Sequence, residues 1–178
     1  MINENDYNWD KIKVGADKYA FLMIRFQNND VSIDELFQTK FTGFYRVRRN
    51  REKFLKKYFS YLQSLKSAPN TSFRDIITYV KTFIGTIEPS FSSKLLATIN
   101  PNFPVWDQYV LSNIGIAVPV RKSIDFCVYI YQCIINWYNS FMRSGSAAEM
   151  VALFDKNLPE YKYFTTTKKI DLMLWQKR

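Results

Sequence analysis

No stretch of this chain alternates apolar and polar residues over the length of a strand, whereas helix-start signals recur along it. Ser32-Ile33-Asp34-Glu35 fits a capping box ahead of Leu36 and Phe37. In such a box a hydroxyl and an acid satisfy backbone donors that a helix start leaves unpaired. Ser72-Phe73-Arg74-Asp75 repeats the form before Ile76, Ile77, Val80 and Phe83, with Pro69-Asn70 marking the break ahead of it. Asn100-Pro101 and Phe103-Pro104 bound a short helix, because a residue before proline avoids the helical region. Gly145-Ser146 separates a long apolar helix from another near Ala147–Phe154. Thr165-Thr166-Thr167 opens a last helix ending in Leu172-Met173-Leu174-Trp175. The fold class that follows is all-α: one compact multi-helix domain over residues 1–178, with room for two helical lobes.

Lys and Arg number 25 against 16 Asp and Glu, a net charge of +9, which favours polyanionic partners. Nucleic acid comes first and an anionic membrane surface second. There is no histidine, so His-based general bases, Ser-His-Asp and Cys-His pairs and His metal ligands are excluded. Cys127 and Cys133 sit in one apolar segment, about 9 Å apart along a helix axis and on different faces. They read as buried reduced thiols of a cytoplasmic protein, too few to hold a zinc ion or an iron–sulfur cluster. The polar, acidic N-terminal stretch is neither a signal nor a transit peptide. The longest apolar run, Phe126 to Met142, is interrupted by Gln132, Asn136 and Asn139, so no membrane span is expected.

Two helices show readable faces. Between Gly43 and Leu65, Val47, Phe54, Tyr58, Leu62 and Leu65 form an apolar stripe at helical spacing. Arg46, Arg49, Lys53, Lys56 and Lys57 fall opposite it, as a phosphate-tracking face or a solvated one. Arg51 projects toward the apolar side, so either the helix starts after Asn50 or Arg51 points into a cleft. In the second helix Asp125, Gln132, Asn136 and Asn139 make one polar seam, a solvent edge or the wall of a polar pocket.

The segment Ser92-Ser93-Lys94…Pro104-Val105-Trp106-Asp107 carries the best lead to chemistry. With Ser92 or Ser93 as N-cap, Lys94 sits in a first helical turn, where the helix dipole favours the neutral amine. A neutral amine is the form that attacks an electrophilic carbon. Pro104 falls at or just before the next helix start, with Val105 and Trp106 in the first turn and Asp107 in or near it. A stiff connector would bring this amine and this carboxylate into one cleft as nucleophile and electrostatic stabiliser. Read separately, each residue is an ordinary member of a helix end.

Pro89-Ser90-Phe91-Ser92-Ser93-Lys94, an apolar helix, and then Pro104-Val105-Trp106-Asp107-Gln108-Tyr109-Val110 resemble the core of the helix-hairpin-helix DNA glycosylases, the 8-oxoguanine glycosylases in particular. The resemblance covers Gly85 to Val110. It implies that Lys94 is the catalytic lysine and Asp107 the catalytic aspartate. The family's two hairpin glycines are Ser90 and Ser92 here, and the interval from Lys94 to Asp107 is shorter than in typical members. The resemblance further implies a target base flipped out of DNA, most naturally a duplex, into a pocket between helical lobes. Asp107 would stabilise the positive charge developing on the sugar, and Lys94 would form a Schiff base that permits strand cleavage. Ser90, Ser92, Ser93 and the basic residues Arg46, Arg49, Lys53, Lys56 and Lys57 would contact nucleic acid, and Phe91 or Trp106 would stack on a base or wedge the duplex. Neither a metal nor an organic cofactor is required. Two other classes compete: a non-catalytic nucleic-acid-binding relative of that fold, and a helical protein-interaction module.

Overall fold

The computed structural model describes residues 4–47, 52–68, 70–117 and 123–176, and among these there is no strand. Most helices begin on a side-chain cap. Asn8 accepts the Lys11 N–H at 3.0 Å to open α1 (Trp9–Asn28). Asp34 accepts the Phe37 N–H at 3.0 Å to open α2 (Glu35–Phe44). The expected box at Ser32 is therefore displaced, since Ser32 bonds to Asp30 instead. Asp34 wins because its carboxylate is also held by Arg25 at 2.8 and 2.9 Å and by Asn29 at 2.8 Å. The box at Ser72 and Asp75 forms as expected at the start of α4 (Phe73–Ile84). Ser123 caps α7 (Ile124–Phe141) and Ser144 caps α8 (Gly145–Asn157). Thr165 accepts the Lys168 N–H at 3.2 Å at the head of α9 (Thr166–Gln176).

The stretch Gly43 to Leu65 is not one helix. α2 stops at Phe44, and α3 runs only over Glu52–Leu65. Arg46, at φ 51, turns the chain between them. Arg51 lies outside the described residues, and Arg46, which precedes α3, does not share a face with Lys53, Lys56 and Lys57. The polar seam of α7 is a solvent edge: Asp125, Gln132, Asn136 and Asn139 are all exposed. Asp125 pairs there with Arg74 at 2.6 Å. Cys127 is buried, Cys133 is half-buried, and neither forms a disulfide. Among the described residues, no helix is long and apolar enough to cross a membrane.

The helices fall into two groups around one continuous apolar core. α1 packs on α2 and α9, and α9 also receives α8 and the short α6 (Gln108–Asn113). In the second group α3 and α7 pack on α4, and α5 (Pro89–Ile99) packs on α3 and α4. Aromatic rings join the groups: Phe59 of α3 meets Phe37 and Phe41 of α2 edge-on, at 5.9 and 5.5 Å. α9 is enclosed on every side, and all residues from Thr167 to Leu174 are buried. That enclosure forces its charged residues inside, next to the segment between α5 and α6.

Candidate functional site

α4 ends on Gly85 in the left-handed conformation (φ 81), which a glycine adopts without steric cost. The chain then turns through residues 85–88 and re-enters a helix at Pro89. α4 and α5 therefore form a helical hairpin, but its turn precedes the Pro89-Ser90-Phe91-Ser92 segment. That segment is the first turn of α5, with Glu88 at the N-cap position and neither Ser92 nor Ser93 capping. Lys94 consequently lies inside the helix rather than in its first turn.

Lys94 is only 5% exposed. Burial, not the helix dipole, pushes its pKa down to about 8, while the charges of Asp107 and Glu88 act in the opposite direction. Its Nζ lies 5.4 Å from the centre of the Phe91 ring. This is a cation–π geometry that holds the amine without neutralising it.

Asp107 is the N-cap of α6, and its Oδ1 accepts the Tyr109 N–H at 2.9 Å. Val105 and Trp106 precede the helix rather than starting it. The link from α5 to Asp107 is pinned by more than its prolines. The Tyr131 hydroxyl donates to the Pro104 carbonyl at 2.8 Å. Ser93 Oγ accepts the Trp106 N–H at 2.9 Å. Thr165 and Thr167 of α9 donate to the carbonyls of Pro101 (2.8 Å) and Asn102 (3.2 Å).

Lys94 and Asp107 line the same cleft, of about 930 Å³, together with Tyr45, Arg46, Ser90 and Tyr109. That volume falls in the range of small-molecule sites. A narrower recess of about 40 Å³ adjoins it, again lined by Lys94, Asp107 and Tyr45, and also by Lys168 and Asp171 of α9. It is the size of one or two waters, not of a nucleobase. Lys168 and Asp171 are 2% and 6% exposed and pair at 3.2 Å. The Tyr138 hydroxyl also donates to Asp171, and the Lys168 ammonium sits 4.7 Å from the Tyr19 ring centre. Burial pushes the Asp171 carboxyl up, against the opposing pull of Lys168, Tyr138 and the Val105 amide.

The remaining candidates separate clearly. Ser92 and Ser93 are fully buried, and their hydroxyls donate to the Glu88 and Ser90 carbonyls at 2.9 and 3.1 Å. They build the helix packing and offer no hydroxyl to a phosphate. Ser90 alone of the three lines the cleft. Phe91 is half-buried against Phe54 and Tyr58, and its carbonyl accepts the Tyr58 hydroxyl at 2.9 Å. Trp106 is 5% exposed. Neither ring stands free as a wedge. Arg46 is exposed on the lip of the cleft, its guanidinium 5.7 Å from the Trp175 ring centre. Lys53, Lys56 and Lys57 are exposed along α3, and Arg49 lies outside the described residues.

Tyr45, Tyr138, Lys168 and Asp171 escaped the sequence reading. A signal existed for the last two: Ile170 and Leu172 to Trp175 leave that helix no polar face, so charges within it had to go inside. Among the described residues no group of three or more Cys, Asp or Glu gathers to hold a metal ion. No protein-family model, curated protein or solved structure matches the chain.

Proposed function

We propose that the protein is a base-excising DNA glycosylase with lyase activity, in which Lys94 is the nucleophile and Asp107 the electrostatic stabiliser. The observation that carries this reading is the joint placement of a buried, easily deprotonated Lys94 and of Asp107 on one cleft large enough for a nucleoside. The helical hairpin of α4 and α5 and the chain's net charge of +9 are in keeping with it.

The chemistry follows from the groups present. A damaged or modified nucleotide, unstacked from DNA, enters the outer cleft, because the inner recess is too small for a base. Neutral Lys94 attacks the sugar C1′. The glycosidic bond breaks, and the base leaves with the bonding electron pair and takes up a proton. One Asp107 oxygen is held by Tyr109, which leaves the other to face the positive charge on the sugar. Loss of the amine's protons and opening of the sugar ring give an imine. The imine acidifies the adjacent carbon, whose proton is lost as the 3′-phosphate departs. Arg46, on the lip, is suited to a DNA phosphate.

Borohydride trapping on DNA with an abasic site tests the reading. Wild type is expected to give a covalent adduct, Lys94→Ala none, and Asp107→Asn a much slower one. Salt-sensitive DNA binding without an adduct would make the protein a non-catalytic nucleic-acid binder. Neither binding nor adduct would leave a helical interaction module.

A further inference from the structure

We infer that the buried Lys168–Asp171 pair of α9 is a positioning device that holds Asp107 against Lys94. The inference rests on the reading of those two residues as the reacting pair.

The segment carrying Asp107 is gripped residue by residue. Tyr131 holds the Pro104 carbonyl and Ser93 holds the Trp106 amide. Asp171 lies beside the intervening Val105, whose amide pulls its carboxyl pKa down, and shares a recess with Val105 and Asp107. Asp171 is itself fixed by Lys168 at 3.2 Å and by the Tyr138 hydroxyl. Thr165, at the head of the same helix, and Thr167 within it hold the start of the segment at Pro101 and Asn102. α9 thus straps the connector at its start and borders it again at Val105, and Asp107 follows two residues later. The fold itself has little need of an ion pair there. Removing two charges from water costs several kcal/mol per ion, and well-packed apolar residues in place of a buried pair are often neutral or stabilising. The pair also lines the recess shared with Lys94 and Asp107, so its placement is directed at the site rather than at a distant part of the core.

The charged and titratable groups around Lys94 are Asp107 on the connector, Glu88 ahead of α5, Tyr45 and Arg46 after α2, and Lys168 and Asp171 on α9. Asp107 favours the protonated amine. Releasing Asp107 therefore leaves Lys94 more often neutral and more reactive at pH 7.

The experiment is competitive labelling of the intact chain with acetic anhydride, read by mass spectrometry of the Lys94 peptide across pH, without DNA. It compares wild type, D107N, K168M/D171L, K168Q/D171N and each double variant combined with D107N. D107N is expected to raise Lys94 labelling at pH 7 by roughly threefold or more, the change that half a pKa unit produces. K168M/D171L is expected to raise it similarly, and K168Q/D171N, which keeps one acceptor oxygen at position 171, to raise it less. Neither double variant is expected to add to D107N, because Asp107 is then already removed from play. Wild-type labelling in a folded double variant, or effects that add to D107N, would overturn the positioning role. Either double variant decides the matter if only one folds. Wild-type trapping on abasic DNA, measured in parallel, reports separately on the glycosylase reading.

Discussion

The Ser93 hydroxyl and the Trp106 backbone amide meet at 2.9 Å, tying the residue before Lys94 to the residue before Asp107. This buried hydrogen bond is one of the ties that fix where the amine and the carboxylate sit on the cleft. Ser93→Ala leaves the Trp106 N–H unpaired in the core, at a cost of about 1–3 kcal/mol. The expected outcome is a lowered midpoint in urea unfolding together with slower borohydride trapping. Ser90→Ala, on the cleft wall, is expected to leave stability within about 0.5 kcal/mol of wild type.

If Lys94 is the nucleophile proposed, its burial ties the trapping rate to pH. Its pKa of about 8 means that the neutral, attacking amine grows in as pH rises through 8. The trapping rate is expected to climb about tenfold per pH unit below that value and to level off above it.

The same shift runs against stability. The folded-state pKa lies below the ordinary lysine value of 10.5, so the unfolded chain binds more protons between about 8 and 10.5. Stability contributed by this group rises with pH across that window, and at neutral pH the buried amine is a cost. Lys94→Met is expected to raise the unfolding free energy at pH 7 by about 1–3 kcal/mol while abolishing the adduct. Thermal unfolding at pH 7 and pH 10 checks both parts, the gain being smaller at pH 10.

Asp34 behaves in the opposite sense. Arg25, the Phe37 amide and Asn29 hold its carboxyl down at about 2, against burial. Its contribution is complete above the ordinary carboxylate range and is lost as pH falls from about 4 toward 2. Asp34→Ala also removes the cap of α2 and is expected to cost about 1–2 kcal/mol at pH 7. Acid titration of the far-ultraviolet dichroism is expected to show a shallower loss below pH 4 in the variant.

On the proposed glycosylase reading, a salt titration of DNA affinity distinguishes the two basic surfaces. Arg46 lies on the cleft lip, whereas Lys53, Lys56 and Lys57 line α3. Each lysine or arginine that neutralises a phosphate contributes about one unit to the slope of log affinity against log salt. Arg46→Ala is expected to lower the slope by about one and to weaken trapping. The triple alanine variant of α3 is expected to lower the slope by up to about three and leave the trapping rate of saturated complexes unchanged.

The all-helical architecture was legible because caps and prolines act locally: Ser72 with Asp75, and Asn100-Pro101, need nothing from the rest of the chain. That Lys94 and Asp107 face one cleft was legible for a similar reason, since a short connector limits where two side chains can go. Tertiary contacts decided what the sequence hid. Ser32 lost its cap to Asp34 through Arg25, which the preceding helix supplies. Lys94 has its pKa lowered by enclosure among other helices, a quantity no local pattern encodes. That Lys168 and Asp171 pair with each other beside the Lys94 cleft follows only from how the other helices close around α9.

That closure has a consequence for how the molecule comes into being. The straps on the connector come from α9, which is synthesised after every other described helix. A ribosome-bound chain can form α1 to α8, with the Ser93 and Tyr131 bonds to the connector, before the straps from the head of α9 exist. The hold on Pro101 and Asn102 is added only when Thr165 and Thr167 clear the exit tunnel and α9 docks. A half-made chain therefore carries the amine and the carboxylate on a connector tied at Pro104 and Trp106 but not yet at Pro101 and Asn102.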